Sequence, residues 1–372
     1  MRNKKILFLT ILIAAIIGCK SEIDPTDDSG AIIIDVPMLK ESKTDKPSRA
    51  DIIESFDTIR LEGSALESFI ARVEDVKFSR DRVFVMSTDV INIFDYNGKF
   101  LNTILRKGRG PGEYLSLTAF DILEDERLIY ALDNQGQQVV IYDFDGKYVR
   151  HIPMECWSTV DFAVLPNGHM LLMNLMDVGQ KKRGLYEADE NGRNIHSLFE
   201  IAPDYNRLAL GFKFLIHIND SVVGCLGLED TDYIYHYQND TVTPAYKIRT
   251  DIIMPDHIRH GISPNEDPDD VYTKMQYWET LRYMGITLIN EAQFALMMYN
   301  KETGQVTRYY KSELMDPDSK LDFAPSFTFC YKNKLIIVHE AEDILQYEPL
   351  QKDFAGITLD SNPVLVIIKL KE

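Results

Sequence analysis

Two octapeptides, FDYNGKFL (94–101) and YDFDGKYV (142–149), share one plan: an apolar run, an aspartate, a tight polar turn with glycine and lysine, and a second apolar run. A third copy, EADENGRNI (187–195), puts arginine where the others have lysine. Gly98, Gly146 and Gly192 are 48 and 46 residues apart. The plan returns in YNKETGQVT (299–307) and, without its glycine, in YQNDTVTPAY (237–246), whose Asn239 lies 47 residues beyond Gly192. Each copy reads as a hairpin in which Gly or Asn supplies a positive φ between alternating apolar residues. A fixed period of this size is the mark of a repeat architecture.

Upstream of each turn stands another pair of strand-like runs: IARVEDVKF (70–78) and RVFVMST (82–88), then TAFDILE (118–124) and RLIYALD (127–133). Four short strands per ~47 residues describe one propeller blade. Turns near 98, 146, 192, 239 and 304 mark five blades, and the gap of 65 before the last predicts a loop insertion at about 250–270. A sixth assembles from both ends: FTFCYKN (327–333), KLIIVHE (334–340) and PVLVIIKL (363–370), with FDTIRLE (56–62) as its outermost strand. Sharing the last blade between the two ends closes the ring and removes an open sheet edge. The expectation is an all-β, six-bladed propeller over 51–372 with four antiparallel strands per blade.

The chain opens with cations at Arg2, Lys4 and Lys5 and an uncharged run from Ile6 to Ile17. Twelve residues are too few for a membrane span of ~30 Å, so 1–18 read as a secretory signal peptide and the protein as exported. Ile16-Ile17-Gly18-Cys19 resembles the lipobox of bacterial lipoproteins, with Ile16 where leucine is usual. That resemblance implies lipidation of Cys19, after which 19–50 form an acidic tether to the outer membrane, on its periplasmic or cell-surface side. Loss of Arg2, Lys4 and Lys5 takes the formal charge from −18 to −21, which disfavours a nucleic-acid partner. Cys156, Cys225 and Cys330 lack metal-knuckle spacing. They read as small buried residues, with one disulfide and a free thiol as the alternative.

The lipobox, the FDYNGKFL turn followed closely by KGRGPGEY (107–114), and the ending NPVLVIIKLK (362–371) resemble the six-bladed β-propeller lipoproteins of Bacteroidetes, which are similar to NHL-repeat propellers. The resemblance covers nearly the whole mature chain and implies the fold far more than an activity.

For function, loop lengths point to one face. The D-x-x-G-K turns are short, whereas the blade-to-blade links are long: KGRGPGEYLSL, EIAPDYNRLALG, TDIIMPDHIRHGISPNEDPDD and SELMDPDSKLDFAP. Long loops on one end of a rigid scaffold are where binding usually resides. In the octapeptide, the glycines with Pro111 permit a sharp turn; alternatively, their N–H groups beside Lys107 and Arg109 form an anion cradle, with Glu113 and Tyr114 at its edge. It is not a P-loop, since no lysine-serine/threonine pair follows. In the insertion, His257 and His260 read as surface histidines rather than metal ligands. Downstream, VYTKMQYWETLRYMG (271–285) gathers Tyr272, Tyr277, Trp278 and Tyr283, either as a sugar-stacking platform around Tyr277 and Trp278 or as blade core.

Candidate carboxylates (Glu113, Asp121, Asp133, Asp161) show no catalytic pairing. Neither a G-x-S-x-G elbow nor an aspartate-box pattern is present. The expectation is therefore a lipid-anchored module that captures a glycan or peptide on its loop-rich face, without a cofactor. A calcium-assisted hydrolase or lyase at the channel mouth, and a scaffold in an envelope complex, are the alternatives.

Overall fold

The computed structural model describes residues 26–36, 52–63, 66–155, 158–179, 182–200, 213–226, 233–250, 273–289, 294–310 and 328–371. Two strands, β1 (Ile32–Val36) and β2 (Ile53–Arg60), precede the first blade. Blade 1 is β3 (Asp75–Phe78), β4 (Val83–Ser87), β5 (Val90–Phe94) and β6 (Phe100–Ile104). Blade 2 is β7 (Ala119–Leu123), β8 (Leu128–Asp133), β9 (Gln138–Asp143) and β10 (Tyr148–Pro153). Blade 3 is β11 (Thr159–Val164), β12 (Met170–Asn174), β13 (Gly184–Ala188) and β14 (His196–Glu200). Blade 4 is β15 (Leu215–His217), β16 (Val223–Leu226), β17 (Tyr233–Gln238) and β18 (Thr241–Thr250). Blade 5 is β19 (Thr273–Glu279), β20 (Tyr283–Ile289), β21 (Phe294–Asn300) and β22 (Val306–Tyr310). Blade 6 is β23 (Thr328–Tyr331), β24 (Lys334–His339) and, after two short helices α1 (Ala341–Gln346) and α2 (Glu348–Asp353), β25 (Val364–Leu370). Antiparallel pairing of β2 with β25, Arg60 opposite Val364 and Ile53 opposite Leu370, completes blade 6 and closes the six-bladed ring.

The repeated turns share one hydrogen-bond scheme. Asp95 Oδ1 accepts the N–H groups of Asn97 and Lys99, Asp143 Oδ1 those of Asp145 and Lys147, and Asp189 Oδ1 those of Asn191 and Arg193. Each glycine has a positive φ, and its N–H donates to the carbonyl of the same aspartate. In the copy without glycine, Asn239 and Asp240 take the left-handed conformation, which Asn and Asp tolerate better than other side chains. The turn at Gly98 leans on the neighbouring blade so closely that a Cβ would stand 1.9 Å from the Arg60 carbonyl oxygen.

Apolar layers fill the seams between blades, one joining blades 6, 1 and 2 and others the 2–3, 3–4, 4–5 and 5–6 seams. Within the stretch read as a tether, β1 runs parallel to β18 as a fifth strand of blade 4, with Ile32 opposite Tyr246 and Val36 opposite Thr250. The reason lies in IIIDV, which alternates: Ile34 and Val36 are buried in the 4–5 seam while Asp35 faces out and pairs with Arg249 at 2.8 Å. Cys225 is buried and Cys330 half-buried, and both are free thiols; Cys156 lies outside the described residues.

Candidate functional site

The octapeptide link satisfies itself. Lys107 Nζ pairs with Asp89 Oδ2 at 2.5 Å, and Glu113 Oε2 accepts the Gly110 N–H at 2.7 Å. The Glu113 carboxylate fills the space beside Gly108, where a Cβ would meet it at 1.9 Å, so the carboxylate occupies the cradle that the glycines make. Arg109 is exposed. Tyr114 is wholly buried; its hydroxyl donates to the Asp89 carbonyl at 2.6 Å and accepts the Arg106 N–H at 3.2 Å, and burial pushes its pKa up to about 12. Buried Asp133 accepts the N–H groups of Leu115, Ser116 and Gly136 and the Gln138 amide. The Tyr142 hydroxyl donates to the Gly112 carbonyl. This link is a structural clasp between blades 1 and 2.

The ring axis is closed by charge. Lys213 reaches from blade 4 to Asp75 of blade 1 at 2.6 Å and Asp161 of blade 3 at 3.0 Å. Asp161 also accepts the N–H groups of Phe214 and Leu215. His217 Nε2 meets Asp121 Oδ2 at 2.6 Å, and the same oxygen takes the Val164 N–H at 2.7 Å. Burial opposes ionisation of Asp121, but His217, Lys77 and the Val164 amide outweigh it and hold the pKa down to about 2. Lys213 is likewise kept charged, its desolvation more than offset by Asp161 and Asp75, which raise its pKa. At one end the backbones of two blades meet, the Lys332 N–H donating to the His217 carbonyl at 2.8 Å. Lys332 Nζ there bridges Asp220 and Glu124, joining blades 6, 4 and 2. These carboxylates are paired with lysine and histidine, and among the described residues no group of three or more His, Cys, Asp or Glu is placed to hold a metal ion.

An open cavity remains on the blade-to-blade face, at the seam of blades 6 and 1. Its volume is about 370 Å³. One wall is the link from β2 to β3, at Phe69–Val73; the other is Val338 at the end of β24 with the excursion that follows it, at Glu340–Glu342, Leu359 and Ser361. Asn362, itself buried, holds the first wall: its side-chain amide donates to the carbonyls of Glu62 and Ser68, and its Oδ1 accepts the Ile70 N–H. Across the groove Glu340 Oε1 accepts the Val73 N–H at 3.2 Å, and burial raises its pKa. The lips are apolar and wet, with Leu359 71 % and Phe69 47 % exposed. Exposed Glu342 and Arg72 complete a rim with both polar and apolar chemistry.

A family model described as a domain of unknown function, DUF4934, matches residues 31–369. The chain belongs to the DUF4934 family. Among solved structures, this DUF4934 chain is similar to an exported protein of Bacteroides fragilis at 15 % identity and TM-score 0.72, over 91 % of this chain and all of that one. It is also similar to a member of the duf4221 family from Bacteroides vulgatus at 11 % identity and TM-score 0.52, over 86 % and 97 % of the two chains. At such identities the likeness is one of fold. Among curated proteins, none matches this chain.

The remaining candidates are scattered through the DUF4934 ring. Tyr277 and Trp278 are both buried, not on an open platform. Period-2 alternation sends them to opposite sides of blade 5, Tyr277 into the 4–5 seam and Trp278 into the 5–6 seam. Gly224 and Gly285 make room for them; a Cβ on Gly285 would stand 2.1 Å from the indole. The insertion at about 250–270 with His257 and His260, together with 201–212 and 311–327 of the other long links, lies outside the described residues. The groove residues Phe69, Glu340 and Leu359 were not singled out from sequence. Their only signal was position: one wall is a blade-to-blade link and the other, 340–362, is the long connection between the second and third strands of blade 6, both on the face where long loops gather.

Proposed function

We propose that this DUF4934 member is an exported, lipid-anchored propeller of the cell envelope that binds a peptide segment in the groove between blades 6 and 1. One observation carries the reading: a cavity of about 370 Å³ on the loop-rich face pairs exposed apolar lips with the half-buried carboxylate of Glu340. Phe69 and Leu359 leave apolar area in water that a partner's side chain would cover at about 25 cal/mol per Å². Glu340 and Glu342 favour a ligand that brings a cation or an N–H donor. The aromatic pair that would favour sugar stacking is buried, so a peptide is the better match than a glycan. Export and anchoring follow from the apolar leader and from Cys19 at its end.

The test is titration calorimetry of the purified chain against a library of basic-apolar peptides, with a glycan array alongside. Micromolar peptide binding that weakens at least tenfold in Phe69→Ala/Leu359→Ala and in Glu340→Gln supports the reading. Binding insensitive to these substitutions, or to glycans alone, overturns it.

A further inference from the structure

The short parallel strand β1 fixes where the chain leaves the ring. Ile34 and Val36 are buried in the seam of blades 4 and 5, Arg249 grips Asp35 through two contacts of 2.8 Å, and Asp27 accepts from the Tyr233 hydroxyl and faces Lys247 at 3.5 Å. All of these partners lie on the outer strands of blade 4. The chain N-terminal to this attachment thus begins at the rim of the disc, not at its axis and not beside β2, where the ring is closed.

Six residues, or seven Cα–Cα steps, separate Cys19 from Thr26, the first described residue. Fully extended they span at most roughly 25 Å. A folded chain of this length is about 50 Å across. The reach of the tether is therefore about half the width of the molecule, too short for the rim of blade 1, diametrically opposite, to be the edge nearest the anchor. Without β1, the same anchor would act through 33 residues, from Cys19 to Ile52, with a reach of roughly 110 Å and no preference among edges.

We infer that the rim of blade 4 is the edge turned to the lipid surface, and that β1 serves as an orienting clamp that leaves the groove of blades 6 and 1, two seams round the ring, uncovered. The inference rests on the anchoring proposed above. β1 turns a loose leash into a short one by burying two aliphatic side chains and spending one bidentate ion pair.

The experiment uses the full chain expressed in a bacterial host that processes lipoproteins, extracted and reconstituted into phospholipid vesicles carrying a headgroup acceptor dye. A donor dye is placed through an encoded azide either at Thr243, on the exposed part of β18, or at Asn97, in the exposed turn of blade 1. Transfer at least twofold more efficient from 243 than from 97 is the expected result. Equal transfer, or more from 97, overturns the inference while leaving anchoring intact. If the chain does not float with the vesicles, anchoring itself fails and the inference with it. Ile34→Asp, which releases β1, is expected to level the two positions; the comparison in the unsubstituted chain stands even if that variant does not fold.

Discussion

Two blade-to-blade links on the same face make opposite use of their residues. The link from β6 to β7, with three glycines and three cations, is the most conspicuous loop in the sequence, yet every polar group it turns inward is consumed within the clasp: Glu113 by Gly110, Lys107 by Asp89, Tyr114 by the Asp89 carbonyl and the Arg106 N–H. The link from β2 to β3 looks ordinary. Asn362 and Glu340 hold it, and it leaves Phe69 in water beside a cavity. Glycine-rich composition reports backbone geometry, whereas unspent surface reports capacity to bind.

The sharpest way to break this contrast is Tyr114→Ala. It deletes a fully buried ring and its hydroxyl bonds, and should cost about 4 kcal/mol in urea unfolding. A loss below 1 kcal/mol would show the clasp to be dispensable. Asn362→Ala should cost about 2 to 3 kcal/mol by orphaning two carbonyls and one N–H, and it should also weaken peptide binding by loosening one groove wall. Equal losses of binding from Tyr114→Ala and Asn362→Ala would erase the distinction between the links.

The axis and the groove should also differ in the sign of their pH dependence. Asp121 has its pKa lowered in the fold to about 2 from an ordinary 3.8, so its contribution is present above pH ~4 and is lost as pH falls toward 2, by about 2 kcal/mol. Glu340 has its pKa raised by burial, so stability falls as pH rises from 4.5 through its folded value. Urea midpoints across pH 2 to 8 should therefore show a shallower acid limb in Asp121→Asn and a smaller neutral-side decline in Glu340→Gln. The smallest expected change in stability is that of Phe69→Ala/Leu359→Ala, within about 0.5 kcal/mol because both side chains already face water. A large loss there, seen in the same unfolding curves, would mean that the lips are packing rather than binding surface.

The architecture was legible because its signal is local. An aspartate two and four residues ahead of its N–H partners, followed by a glycine at positive φ, makes the same turn wherever it occurs, and the spacing of these turns counts the blades. Closure by 56–62 followed from the leftover strands at the two ends. The site was less legible. Tyr277 and Trp278 are adjacent in sequence but face opposite seams, a separation that period 2 implies and that a cluster of aromatic letters conceals. IIIDV lay inside an acidic, polar stretch, and only its alternation hinted at β1.

Local chemistry by itself determined the repeating unit and the number of blades, since turns and alternation act over a few residues. Which charges meet across the axis, which loop stays open and which rim holds β1 depend on residues brought together from 52 to 292 positions apart, as with Asp161 and Lys213 or Ile70 and Asn362. Those pairings are set by ring closure, whose chain-entropy cost is met by the burial of all the seams at once, and only the tertiary structure decided them.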